Sequence, residues 1–203
     1  MAVKRPSGDG TSIGIAVGPA GLPAERRSAA DWHPLRDISV APVARGRRGW
    51  LVRRMLLAAD LGGLLGSEWK KADADVNGEF GYLVALSEFI PKRAARTAAA
   101  GWGGDRYVLY ENKAAGELLL VQYTTWDTEN DAKEFFQAYS ERTQKRYKLN
   151  KPVNLNARPL VHKTNEGLAS IDIRGKDVVL IEGAQTREQL ARLSQRAWQS
   201  KKR

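Results

Sequence analysis

The chain of 203 residues has the length of one domain, or of one domain with a tail. Its 42% hydrophobic and 28% charged residues exclude both wholesale disorder and a polytopic membrane protein. Absence of Cys removes disulfide frameworks, thiol nucleophiles and thiolate zinc sites. Two His, His33 and His162, lack ligand spacing, so neither a metal nor any other cofactor is expected.

The net charge of +10 is unevenly placed. Residues 1–54 carry ten Lys/Arg against four acids, and residues 189–203 carry five and none. The intervening body is close to neutral. Basic ends of this kind attach to polyanions by counterion release, with salt-sensitive and unspecific affinity. A solvated tail is the plainer reading.

Residues 1–50 are rich in Gly, Pro, Ser, Ala and Arg and have no sustained period, so they read as a low-complexity, disordered segment. Lys4 and Arg5 before Ile13–Val17 imitate an export signal, but Gly14, Gly18, Pro19 and Gly21 break the apolar run. The chain as written therefore reads as cytoplasmic. No transmembrane segment is expected, because Arg53 and Arg54 divide the best candidate, Trp50–Leu65. That stretch predicts a short helix with Met55, Leu56, Leu57 and Leu61 inward.

An α+β domain is expected over residues 55–200. Phe80, Leu83, Val84, Ser87 and Ile90 follow helical spacing, and Pro91 opens a second helix through Ala100, with Gly101 after it. Strands follow at Tyr107–Glu111 and Glu117–Thr125, then a helix over Glu129–Arg146 with Thr128 and Asp131 as its capping box. A strand near Arg158–Lys163 precedes two more at Leu168–Arg174 and Asp177–Glu182, joined by Gly175-Lys176. Thr186 and Gln189 start a last helix carrying Leu190, Leu193, Ala197 and Trp198. The order predicts a tandem β-β-α fold: an antiparallel sheet with both helices packed on one face, preceded by short helices.

Several strings offer candidate chemistry. Asp73-Ala-Asp75-Val-Asn77-Gly78 copies half of a calcium loop, but Val84 stands where the bidentate carboxylate belongs. Asn77 then reads as the cap of the following helix. Gly101-Trp102-Gly103-Gly104-Asp105-Arg106-Tyr107 follows a helix and enters a strand, the reverse of a phosphate loop. Gly103 is expected to need a special backbone conformation and Trp102 to be buried at the turn, with Asp105 and Arg106 paired or bound to backbone. An aromatic-lined ligand cleft beside Trp102, Tyr107, Tyr110, Tyr123 and Trp126 is the competing expectation. His162 reads as a half-exposed strand residue, while Asp31, His33 and Asp37 lie where nothing would hold catalytic geometry. No Gly-x-Ser-x-Gly, Walker loop or paired His is present, so no catalytic residue is expected.

Gly101–Tyr107 and Thr125–Phe135, with Leu65–Trp69 and Asn77–Phe80, resemble the C-terminal region of a group of bacterial proteins. Its longer members look like zinc metallopeptidases, with an upstream His-Glu-x-x-His helix and often an export signal. This chain has no such motif, so the resemblance implies an accessory domain without its catalytic partner. It also implies exported relatives. The functional expectation is a non-catalytic binding domain for an unknown protein or envelope partner, with Trp102, Asp105, Arg106, Tyr107 and Trp126 as candidate contacts. The alternative is binding of nucleic acid or an anionic surface through Arg45, Arg47, Arg48, Arg53, Arg54, Lys201, Lys202 and Arg203.

Overall fold

The computed structural model describes residues 61–149 and 154–200. The expected segment 1–50 and the basic candidates Arg45–Arg54 and Lys201–Arg203 lie outside the described residues. A single 3-10 turn at Gly62–Leu64 precedes β1 (Lys70–Asp75), α1 (Gly78–Ser87) and α2 (Lys92–Ala99). The chain continues through β2 (Trp102–Asn112), β3 (Glu117–Trp126) and α3 (Glu129–Arg146). It then forms β4 (Leu160–Thr164), β5 (Gly167–Arg174), β6 (Asp177–Ala184) and α4 (Arg187–Gln199).

The strands make one six-stranded antiparallel sheet in the order β1-β2-β3-β6-β5-β4. The fold is therefore α+β, with four α-helices among the described residues. The β2–β3 and β5–β6 hairpins sit side by side through β3 and β6, and each is followed by a helix.

The two helices do not share a face. Val178 and Leu180 of β6 pack with Phe135, Phe136 and Tyr139 of α3. Val179 and Ile181, one residue out of phase, pack with Leu190, Leu193 and Trp198 of α4. Successive strand residues point to opposite sides, so α3 and α4 lie on opposite faces. The sequence reason is visible in β6: every position from Asp177 to Ala184 is buried. A strand without polar alternation needs cover on both sides.

The cover is unequal. On one face α1, α2 and α3 pack together over a core containing Tyr82, Leu86, Ala95, Trp126 and Phe135. On the other, α4 packs with Leu61, Leu64, Leu65 and Trp69 among the described residues that precede β1. The half of that face formed by β5 and β4 is left partly open.

Two starts differ from expectation. β1 has no counterpart in the predicted elements, because Lys-Lys-Ala-Asp-Ala-Asp offers no β-branched or aromatic residue and only two Ala as its apolar phase; its charges suit an edge strand. β2 begins at Trp102, not Tyr107, with a register shift against β3 between Trp102 and Gly104.

Candidate functional site

The Gly-rich motif forms a structural joint. Asp105 is 1% exposed and its carboxylate accepts three N–H bonds. The donors are Asn77 N at 2.9 Å, Gly78 N at 3.0 Å and Trp102 Nε1 at 2.9 Å. The first two are backbone groups at the start of α1, where orphan donors and the helix dipole favour an acceptor. Asn77 itself makes no side-chain cap, contrary to expectation, because Asp105 supplies the carboxylate from β2. Burial pushes the Asp105 carboxyl up to about 6, with those hydrogen bonds pulling it down. Burial, then the Asp105 charge, also holds the Tyr82 hydroxyl well above its usual range.

Arg106 turns to the opposite side of β2, with Nη2 donating to Ala74 O at 3.1 Å and Nη1 lying 3.8 Å from Asp75. Tyr107 Oη donates to Asp73 Oδ2 at 2.8 Å. Asp73 and Asp75 thus lie on an extended strand and engage β2, instead of wrapping a loop as the calcium pattern requires. Among the described residues no three His, Asp or Glu side chains converge as a metal site.

Trp102 is only half-buried, at the beginning of β2. Trp126 is the buried ring: it stacks on Phe135 with centroids 4.4 Å apart and donates to Thr124 Oγ1 at 2.9 Å. The five aromatics expected to line one cleft do not meet. Tyr110 and Tyr123 belong to the core under α4, whereas Trp126 and Trp102 belong to that under α3. His162 is half-buried in β4, and burial lowers its pKa.

A second polar centre had no sequence signature. Glu182 of β6, 4% exposed, accepts from Tyr139 Oη at 2.8 Å and Arg142 Nη1 at 2.5 Å. Its other oxygen accepts from Arg146 Nη1 at 2.7 Å. Arg146 and Tyr147 extend the network to Glu166, at 3.0 and 2.9 Å. Burial alone would raise the Glu182 carboxyl, but Arg142 and Arg146 outweigh it and hold it at about 2. Burial also pushes the Tyr139 and Tyr147 hydroxyls up, keeping them protonated as donors. The network joins α3 to the sheet and lines neither the cleft beside α4 nor the hollow between α2 and α3.

The open half of the α4 face forms a cleft of about 650 Å³. One wall is a stripe of α4 that includes Arg187, Leu190, Ser194, Gln195 and Trp198. The other comes from Pro159, Ser170, Arg174 and Asp177. Ser170, Asp172 and Arg174 alternate with Ile171 and Ile173, which point to the α3 core, so β5 turns its polar side toward the cleft. Trp198 is fixed from several directions: Nε1 donates to Asp172 Oδ2 at 2.9 Å, and the Arg174 guanidinium lies 4.3 Å from its ring centroid. Arg174 also donates to Asp172 at 3.2 Å, and Tyr123 meets the indole edge-on at 5.8 Å. Ser170 is 3% exposed, lines the cleft, and its hydroxyl has no hydrogen-bond partner among the described residues. Arg187 makes no ion pair there either.

Sequence reasoning missed this cleft. The polar period of Ser170-Asp172-Arg174 was its only sign, and it reads equally as an ordinary solvent face. A broader hollow of about 860 Å³ lies between α2 and α3 and is bounded by Leu155. It presents no buried polar side chain without a partner.

Residues 65–194 match a family model described as Domain of unknown function (DUF8575). The chain belongs to this family. The matched region runs from the approach to β1 into α4, so it contains the Asp105 joint, the Glu182 network and most of the cleft lining, with Gln195, Trp198 and Gln199 just beyond it. No curated protein and no solved structure matches the chain. No helix among the described residues is long and apolar enough to cross a membrane.

Proposed function

We propose that this domain is a non-catalytic binding module whose ligand enters the cleft between α4 and β5. The carrying observation is Ser170, a residue 3% exposed whose hydroxyl has no partner among the described residues and faces the cleft. The hydroxyl stays reachable from the cleft, so a bound ligand can take its donor or its acceptor. The other buried polar centres, Asp105 and Glu182, are occupied by internal donors and hold the fold together. The resemblance to the C-terminal region of metallopeptidase-like proteins supports an accessory role alongside other domains.

The test is a thermal-shift screen of fragment-sized organic molecules against the full chain, with hits mapped by hydrogen exchange. Protection gathering at Ser170–Arg174 and along α4 is the expected result. Hits that protect only other surfaces, or none, would overturn the reading. The charge at the two ends supports a second reading, polyanion binding by the tails. It predicts duplex DNA affinity that falls steeply with salt and leaves α4 exchange unchanged.

A further inference from the structure

Resting on that reading of the cleft, we infer that its ligand is a small organic oxyanion, a carboxylate or phosphate ester carried on an apolar body. Size sets the first limit. A cleft of about 650 Å³ lies within the range that holds small organic molecules, roughly 300–1,000 Å³. The α4 wall is roughly 18 Å long at 1.5 Å per residue, which further favours a compact ligand over a long polymer.

Charge sets the second. Arg174 and Arg187 line the cleft, and the Arg174 side chain is 61% exposed. Asp172 and Asp177, the nearby carboxylates, are each 3% exposed. Asp172 is engaged by Trp198 and Arg174, and Asp177 lies beside the Tyr123 hydroxyl. The charge presented to an entering molecule is therefore cationic. Arg174 commits Nη2 to Asp172 and keeps its remaining donors, while Arg187 has its whole fork available. Guanidinium groups bind carboxylate and phosphate oxygens with paired donors, and such bonds are stronger than neutral ones.

Orientation follows from the remaining lining. Leu190, Pro159 and the held edge of Trp198 offer apolar contact, and Ser170 offers one donor and acceptor at the floor. Asp172, Arg174 and Tyr123 fix the indole from three directions, so this wall is formed before any ligand arrives.

The experiment is an amide-resolved NMR titration of the full chain with benzoate, phenyl phosphate and benzamide. The two anions distinguish a carboxylate from a phosphate source, and benzamide carries the same ring without charge. Saturable shifts at Ser170, Arg174 and α4 are expected with at least one anion, and weaker or none with benzamide. Arg187→Gln should weaken the anion about tenfold, the loss of one charge-assisted contact. Ser170→Ala should weaken it several-fold yet melt no lower than the parent, since the hydroxyl has no partner to lose. Benzamide binding as well as the anions would sink the oxyanion inference and leave the cleft a binding site. An anion that shifts only surface amides outside the cleft, or an unaffected Arg187→Gln, would sink it as well. If no probe enters while other fragments do, the ligand class is wrong and the module reading stands.

Discussion

The carboxylate of Asp105 accepts the backbone N–H of Gly78 at 3.0 Å, bridging 27 positions of sequence. A strand thereby caps a helix. The same carboxylate takes the Asn77 amide and the Trp102 indole, so the start of α1 and the first residue of β2 are tied at one buried point. Asp105→Ala removes the shared acceptor and leaves three donors in need of partners. A loss on the order of 1–3 kcal/mol is expected, read as a lower urea midpoint at neutral pH. Asp105→Asn keeps one acceptor oxygen and should lose less. Equal midpoints for parent and Ala variant would show that α1 needs no cap from β2.

The pH dependence of stability should carry two opposite signatures. Asp105 has its carboxyl raised from 3.8 to about 6, chiefly by burial, so the folded state holds this proton more tightly than the unfolded chain. Its contribution is complete below about pH 4 and is lost as pH rises through about 6. Glu182 runs the other way, from 4.5 down to about 2 because Arg142 and Arg146 offset its burial. That contribution is complete above about pH 4.5 and is lost as pH falls through about 2. Urea midpoints against pH should therefore flatten between pH 4 and 6 in Asp105→Asn, and below pH 4.5 in Glu182→Gln. Unchanged slopes in both variants would refute the assignment.

Removing the Glu182 carboxylate should be the costliest polar substitution. Glu182→Ala leaves Arg142, itself buried, without its counter-charge and strips one partner from Arg146. Breaking a buried pair in this way costs about 3–5 kcal/mol. The exposed pair Lys145–Glu141, at 2.7 Å on the same helix, is the internal control, and Lys145→Ala should cost at most about 0.5 kcal/mol. Comparable losses at the two sites would mean that burial does not set the strength of these pairs.

What the sequence revealed follows from the range of each interaction. Thr128 and Asp131 lie three residues apart, and both capping-box bonds are present at 3.1 and 2.9 Å. Thr186 accepts the Gln189 amide at the start of α4, while the Gln189 side chain takes the amide of Gln185. Local spacing carries all the information such caps need. The Asp105 cap could not be seen, because its donors are more than 25 positions away and Asn77 offered a nearer, plausible acceptor. Face assignment failed for a related reason. The apolar stripes of α3 and α4 show that each helix packs, but only the unbroken burial of β6 shows that they need opposite sides. The cleft is the hardest case, since it is formed by what α4 leaves uncovered on β5 and no residue string encodes that.

The last prediction separates the glycines and tryptophans of the motif. Gly103 was expected to hold the forbidden conformation, but it is Gly101 that sits at φ +77. A Cβ at Gly101 would also lie 2.5 Å from Asp131 Cγ, the residue that completes the α3 capping box. At Gly103 the constraint is proximity alone, with Thr125 O 3.1 Å from a built Cβ. Gly101→Ala should therefore cost on the order of 1–3 kcal/mol through backbone strain and disturbance of the cap. Gly103→Ala should cost less, because a shift of a few tenths of an ångström in β3 relieves it. The tryptophans should divide in the same way. Trp126→Ala empties a site 1% exposed and stacked on Phe135, for about 3–5 kcal/mol, whereas half-buried Trp102 loses mainly its bond to Asp105. Melting temperatures of the four variants should place Trp126→Ala lowest and Gly101→Ala below Gly103→Ala. The reverse order within either pair would mean that the register shift between Trp102 and Gly104, and not the α2–β2 turn, is where this motif carries its strain.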